Sequence, residues 1–149
     1  MLDEQVVEIA RSWIGTPYHV GALVKGKGVD CLGLVIATGC ELFEAPMLKM
    51  PRYPGRWSAV QAGQEMMLDA ANQYLEQVDI DTRGPGVVLA FRLHPKAVAQ
   101  HCGIMTTDKK MVHAHSGRAT YEVTVGQKWG SRVAAAFKYT ESKEEQWRR

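Results

Sequence analysis

Gly28-Val29-Asp30-Cys31-Leu32-Gly33-Leu34-Val35 is the stretch on which the reading of this 149-residue chain turns. A loop carrying Gly21, Gly26 and Gly28 runs into it, and from Cys31 to about Phe43 the sequence is nearly all apolar. An apolar run without a polar stripe predicts a helix buried on most of its sides. Cys31 then stands at or next to the first helical position, where the positive end of the helix dipole favours an anion. A thiol attacks only as thiolate, and a helix start with an imidazolium nearby can lower its pKa from about 8.5 to between roughly 3.5 and 7.5. Cys31 is therefore the candidate nucleophile. The competing reading is an inert core cysteine in an apolar helix.

Working outward, residues 3–14 have a helical pattern, with Val6, Ala10, Trp13 and Ile14 on one face and Asp3 as N-cap. Gly15-Thr16-Pro17 stops that helix. Residues 45–57 carry Pro46, Pro51 and Pro54 and read as loop. Ser58 and Gln61 have capping-box spacing and open a helix to about Gln77, with Val60, Met67, Ala70, Ala71 and Tyr74 turned inward. After Arg83-Gly84-Pro85-Gly86 the period changes to two. Val87–Arg92, His101–Thr106, Lys110–His115, Ala119–Val123 and Arg132–Tyr139 read as short strands. Helices first and strands later make an α+β domain, its helices packed on an antiparallel sheet. The domain is expected over residues 1–140, with 141–149 as a charged, exposed C-terminal tail.

Composition narrows the function classes. The chain is 46% hydrophobic and 23% charged with a net charge of +2, so it has no electrostatic footprint for nucleic acid. No apolar run approaches the roughly 20 residues that span a bilayer. The opening Met1-Leu2-Asp3-Glu4 is acidic and lacks the apolar core of a signal peptide. Three cysteines without regular spacing make no disulfide framework, which fits a reduced compartment.

A base for Cys31 must come from a rigid element facing the helix start. His101, opening the strand His101-Cys102-Gly103-Ile104-Met105, is the candidate; alone, a histidine at a strand end is more often simply solvated. His113 and His115 on the next strand are candidates for the group that orients the base. Alternation limits the geometry. A two-residue turn at Asp108-Lys109 pairs Ile104 with His113 and puts His113 and His101 on opposite faces. A three-residue turn at Thr107-Asp108-Lys109 pairs Gly103 with His113 and His101 with His115, so that all three share a face. An odd-length turn or a bulge is therefore expected, and parity leaves His113 and His115 both open. Three clustered histidines also raise a zinc site, but no acidic residue or cysteine pair completes a recognisable ligand spacing, so no metal is expected. Cys40 and Cys102 read as packing residues, Cys102 pointing away from His101, while His19 and His94 lie in loops.

Taken together, Trp13-Ile14-Gly15-Thr16-Pro17-Tyr18, the stretch 28–35, His101-Cys102-Gly103-Ile104 and Met111-Val112-His113-Ala114 resemble the NlpC/P60 family of cell-wall peptidases. The likeness is strongest to phage peptidases encoded among tail genes and to their relatives in gene transfer agents. It departs in having Leu32 where many relatives have serine, and Gly86-Val87 where many have Gly-Asp. The resemblance implies a papain-like fold with Cys31 as nucleophile, His101 as base and His113 as orienting residue, His115 being the alternative. It implies Tyr18 beside the thiolate and Asp30 lining the substrate pocket; as residues alone, Tyr18 reads as a packed aromatic and Asp30 as a helix N-cap. It implies a cofactor-free cysteine peptidase acting on peptidoglycan stem peptides, between D-glutamate (through its γ-carboxyl) and a diamino acid. The expected setting is a virion tail, made in the host cytoplasm, with tail-tip or hub proteins as partners. The rivals are a tail assembly or binding module without turnover, and an acyltransferase or amidase on the same fold.

Overall fold

The computed structural model describes residues 2–47 and 65–149. The described elements begin with helix α1 (Leu2–Ser12), a short hairpin of β1 (Leu23–Val24) and β2 (Gly28–Val29), and helix α2 (Cys31–Leu42). Helix α3 (Met66–Tyr74), β3 (Glu76–Val78), β4 (Val87–Phe91), β5 (His101–Met105), β6 (Lys110–His113) and β7 (Tyr121–Thr124) follow. A one-turn helix α4 (Gln127–Gly130), β8 (Val133–Lys138), a 3-10 turn (Glu141–Lys143) and helix α5 (Glu144–Arg148) complete the chain. The fold is α+β, with helices packed on an antiparallel six-stranded sheet ordered β3-β8-β4-β5-β6-β7.

The apolar run after Cys31 forms its helix, and every residue from Cys31 to Cys40 is buried. It packs between α1 and β5. Alternation along the central strands splits the sheet into two faces. Val88, Ala90, Cys102 and Ile104 join Leu34, Val35 and Ala37 of α2 in the main core. Val87, Leu89, Phe91 and Met105 face a smaller cluster with Met111 and Ala136. The β5–β6 hairpin pairs Ile104 with Val112 and Met105 with Met111. That is the register of the three-residue turn, and it sets Gly103 opposite His113. A Cβ on Gly103 would sit 2.6 Å from Met111 Sδ and 3.2 Å from His113 Cβ, so the missing side chain makes room for both.

Several local expectations are corrected. Asp3 lies within the first turn of α1 rather than capping it, and its carboxylate takes the Lys138 ammonium at 2.9 Å. Ile14 is exposed, because α1 ends at Ser12 and the helical period no longer governs its direction. Helix α3 stops at Tyr74, short of Gln77, because Glu76–Val78 pairs with the outer edge of β8. Ser58, Gln61 and Val60, with loop positions 48–57, lie outside the described residues.

The largest correction concerns the C-terminus. Residues 141–149 are not a loose charged tail: they fold back, and Trp147 is buried. Its indole packs against Tyr74, Tyr139 and Phe43 at ring separations of 5.1, 5.9 and 6.1 Å, and Trp147 Nε1 donates to the Tyr74 carbonyl at 2.9 Å. Arg148 Nε donates to the Phe43 carbonyl at 3.0 Å. Gly39 is required beneath the indole, since a Cβ there would overlap its ring. One large apolar side chain among charged neighbours is enough to dock the segment. Trp147→Ala should therefore cost about 3 kcal/mol, the low end for deleting a buried Trp, and lower the melting temperature by roughly 6–12 °C. A calorimetric scan showing no shift would restore the free tail.

Candidate active site

The start of α2 is fixed from two sides. Asp30 is extended at the N-cap, and its Oδ1 accepts the Gly33 N–H at 2.7 Å. Its Oδ2 accepts the Gly21 N–H at 2.8 Å, tying the glycine loop to the helix. A buried carboxylate used in this way holds the loop against the helix start, so Asp30 is seen as a cap and a brace. Tyr18 is set by backbone pairing, through a bridge to Val29 and the neighbouring bridge of Pro17 to Ala119. Burial, then the negative charge at Cys31, pushes its phenol up to about 12, so Tyr18 stays a neutral hydroxyl.

Cys31 is buried at the first residue of α2. Its thiol is held well below the ordinary range, first by a hydrogen bond from Cys102 and then by a hydrogen bond from His101, against the opposing effect of burial. Cys102 faces α2, as alternation requires, and its Sγ reaches the Cys31 carbonyl oxygen at 3.2 Å. Its own thiol is pushed well above the usual range by the contact with Cys31 and by burial, so it stays a neutral donor. Cys102 therefore does more than fill space. Its position one residue after the base, on the side facing the helix, was a signal that could have shown this. Cys40 sits further along α2, where burial raises its pKa.

His101 opens β5 and is buried. Its Nε2 lies 2.8 Å from His113 Nδ1, which leaves Nδ1 as the nitrogen for Cys31. The parity argument left two candidates for this contact, and His113 makes it. His115 lies beyond the end of β6 on the same side, with its ring 5.5 Å from that of His101. Burial, then the charge of His101, lowers His113 to about 3, so it is neutral at ordinary pH. A neutral His113 can accept the His101 Nε2–H at Nδ1, its own proton then lying on Nε2, which is buried without a hydrogen-bond partner among the described residues. His115 is also lowered, by burial and by His101. Among the described residues no group of three or more His, Cys, Asp or Glu side chains is placed to hold a metal ion.

Trp129, on α4, was not found by reading the sequence. Its indole stacks on the His101 ring at 5.1 Å and meets the edges of His113 and His115. A one-turn helix between two strands carries too short a pattern to be recognised in a sequence.

Chemically, the arrangement supplies a lowered thiol at a helix start, an imidazole that helps to lower it, and a second, neutral imidazole 2.8 Å from the first. Comparison with known proteins agrees with this. The NlpC/P60 family pattern matches residues 15–138. The chain is 28% identical over 108 residues to the probable endopeptidase NlpC of Escherichia coli (strain K12), covering 72% of this chain and 58% of that protein. The chain thus spans less than two thirds of that relative's length. Among solved structures, NlpC1 of Trichomonas vaginalis superposes with a TM-score of 0.64 at 16% identity, over 92% of this chain and 44% of that one. An NlpC/P60 family protein of Bacillus cereus gives 0.61 at 19%, over 93% and 40%. The NlpC/p60 domain of the peptidoglycan hydrolase SagA gives 0.58 at 16%, over 91% and 97%. At these identities the superpositions speak for the fold, while the family pattern runs from the loop before Tyr18 to the end of β8, through all the residues described above. This chain belongs to the NlpC/P60 family.

Proposed function

We propose that the chain is a cysteine endopeptidase that hydrolyses peptide bonds in the stem peptides of bacterial peptidoglycan. The observation that carries the reading is Cys31 at the first residue of α2, its thiol lowered in part by His101, whose Nε2 lies 2.8 Å from His113 Nδ1. A relative named as a probable endopeptidase and a fold neighbour described as a peptidoglycan hydrolase support it.

In this reading the Cys31 thiolate attacks the amide carbon, and the carbonyl oxygen takes the negative charge. The backbone N–H of Cys31, at the first helical position, stabilises that oxygen. The C–N bond breaks as the His101 imidazolium gives its proton to the leaving amine. A water then loses a proton to His101 and attacks the thioester, releasing the carboxylate and restoring the thiolate–imidazolium pair. His113 accepts the Nε2–H throughout. In the same reading Tyr18 meets the substrate as a neutral hydroxyl, and Asp30 acts by holding the Gly21 loop in place. The finer reading is that the bond joins the γ-carboxyl of D-glutamate to a diamino acid, and that the chain works in a phage-like tail beside tip or hub proteins. It rests on the likeness of segments 13–18, 28–35, 101–104 and 111–114 to phage tail peptidases. Its absence from purified particles would remove the tail setting.

Mass spectrometry of peptidoglycan fragments tests the reaction: a new amine and a new carboxylate should appear at one stem-peptide bond. Unchanged fragments would leave a binding module, and transfer to another amine would indicate an acyltransferase. Cys31→Ala should abolish cleavage while the protein stays folded. The lowered thiol also fixes a direction in pH. An acid whose pKa is lowered stays ionised as pH falls until that lower value is reached. Iodoacetamide should therefore label Cys31 ahead of Cys40 and Cys102, and continue to do so below neutral pH; equal labelling of the three would contradict it.

The two histidines separate by hydrogen bonding. Removing the acceptor of a charged donor costs about 1.5–3 kcal/mol, or roughly ten- to a hundredfold in rate. His113→Ala should lower kcat by that factor, whereas His115→Ala should keep most of the turnover. The reverse order in steady-state rates would transfer the orienting role to His115.

A further inference from the structure

Trp129 is half-buried on a helix whose other leading residues, Gln127 and Lys128, are exposed. Backbone bonds hold that helix in place: Gly130 N–H to the Gly126 carbonyl at 2.8 Å, and Val125 N–H, just before it, to the Lys109 carbonyl at 2.7 Å in the β5–β6 turn. The hairpin that carries His101 and His113 is thereby coupled to the helix that carries Trp129. The indole lies over His101 with 28° between the planes and a 5.1 Å ring separation. It stands edge-on to His113 at 5.3 Å and to His115 at 5.8 Å. Phe91, paired with His101 across β4 and β5, contacts both rings, at 5.8 Å from His101 and 5.2 Å from Trp129.

Such a contact acts on His101 in two ways. An imidazole tethered through two side-chain torsions turns out of plane unless its face is covered, and only one ring plane serves Cys31 and His113 together. An indole face also attracts a cation, so stacking favours the imidazolium of an ion pair over a neutral ring. We propose that Trp129 is a positioning residue for the base, holding the His101 ring plane and favouring its charged form through the indole face. The proposal rests on His101 being the base of the Cys31 thiol. The charged and titratable groups around this ring are Cys31 from α2, His113 and His115 from β6 and the segment after it, and Arg118, whose charge reaches both of those histidines.

The test needs no wall substrate, so it stands apart from the question of which bond is cut. Wild-type full chain, Trp129→Phe and Trp129→Leu are titrated from neutral to alkaline pH, and the His101 ring Cε1–H is followed by NMR. The indole face stabilises the imidazolium whether or not the sulfur is protonated, so its loss acts on the proton of His101 rather than on that of the thiol. In Trp129→Leu the pH at which His101 gives up its imidazolium proton should therefore fall by about half to one unit. Trp129→Phe should stay within about 0.3 unit of wild type. An unmoved midpoint in Trp129→Leu, or equal shifts in the Phe and Leu variants, would overturn the proposal and leave Trp129 a packing residue. If Trp129→Leu does not fold, the indole itself decides the matter. The Trp129 emission, taken as wild type minus Trp129→Phe, should be quenched as the imidazolium forms, and His101→Asn should remove that response. A response unchanged by His101→Asn would equally overturn it.

Discussion

The start of α2 lies against the start of β5, and the candidate chemistry depends on that packing. Cys102 Sγ reaches the Cys31 carbonyl at 3.2 Å, so the strand touches the helix at the nucleophile itself. His101, one residue earlier in the strand, points to the other face, where His113 receives it. The strand thus supports the thiol with one side chain and supplies its base with the preceding one. Sliding the helix by one turn, about 5.4 Å, would remove the thiol from both contacts. Asp30 opposes that motion by binding Gly33 within the helix and Gly21 in the loop before it.

The hairpin register is the second constraint. His101 and His113 are diagonal neighbours on one face because Gly103 is paired opposite His113, and Gly103 has no side chain to fill the gap. Diagonal positions lie about 7–8 Å apart at the backbone, a span that two imidazoles can bridge. A turn one residue shorter would have put His113 in the opposite cluster. The three-residue turn is therefore as much a part of the site as the histidines.

Much of this was legible in the sequence, and particular residues show why. The buried helix from Cys31 and the five later strands are strong periodic signals, and the shared parity of positions 101, 113 and 115 pointed to an odd-length turn or a bulge, of which the hairpin register shows the turn. What stayed hidden depends on partners distant in sequence. Trp147 looks like a lone aromatic in a charged tail until Gly39, Tyr74 and Tyr139 are brought around it. Strand β3 consists of Glu76, Gln77 and Val78, and only the open edge of β8 makes it a strand. Trp129 has no pattern of its own, and its meaning comes from the His101 ring above which it lies. Asp30 was readable as a cap, but its second bond, to Gly21, depends on how the glycine loop closes.

The placement of charge follows from the same geometry. The His101 and His113 rings are 5.0 Å apart, and two unit charges at that distance repel by about 3 kcal/mol at an effective dielectric of roughly 20. A repulsion of that size disfavours charge on both rings at once. Burial chooses which one: it acts first in lowering His113, and the charge of His101 acts next. His101 is the ring that acts on the Cys31 thiol and holds it low. A neutral His113 can accept at Nδ1, and it does so wherever His101 carries a proton on Nε2, as an imidazolium must. The proton left on His101 Nδ1 then faces the sulfur. A buried histidine that stays neutral can thus accept from His101 and leave that ring's other nitrogen to the sulfur.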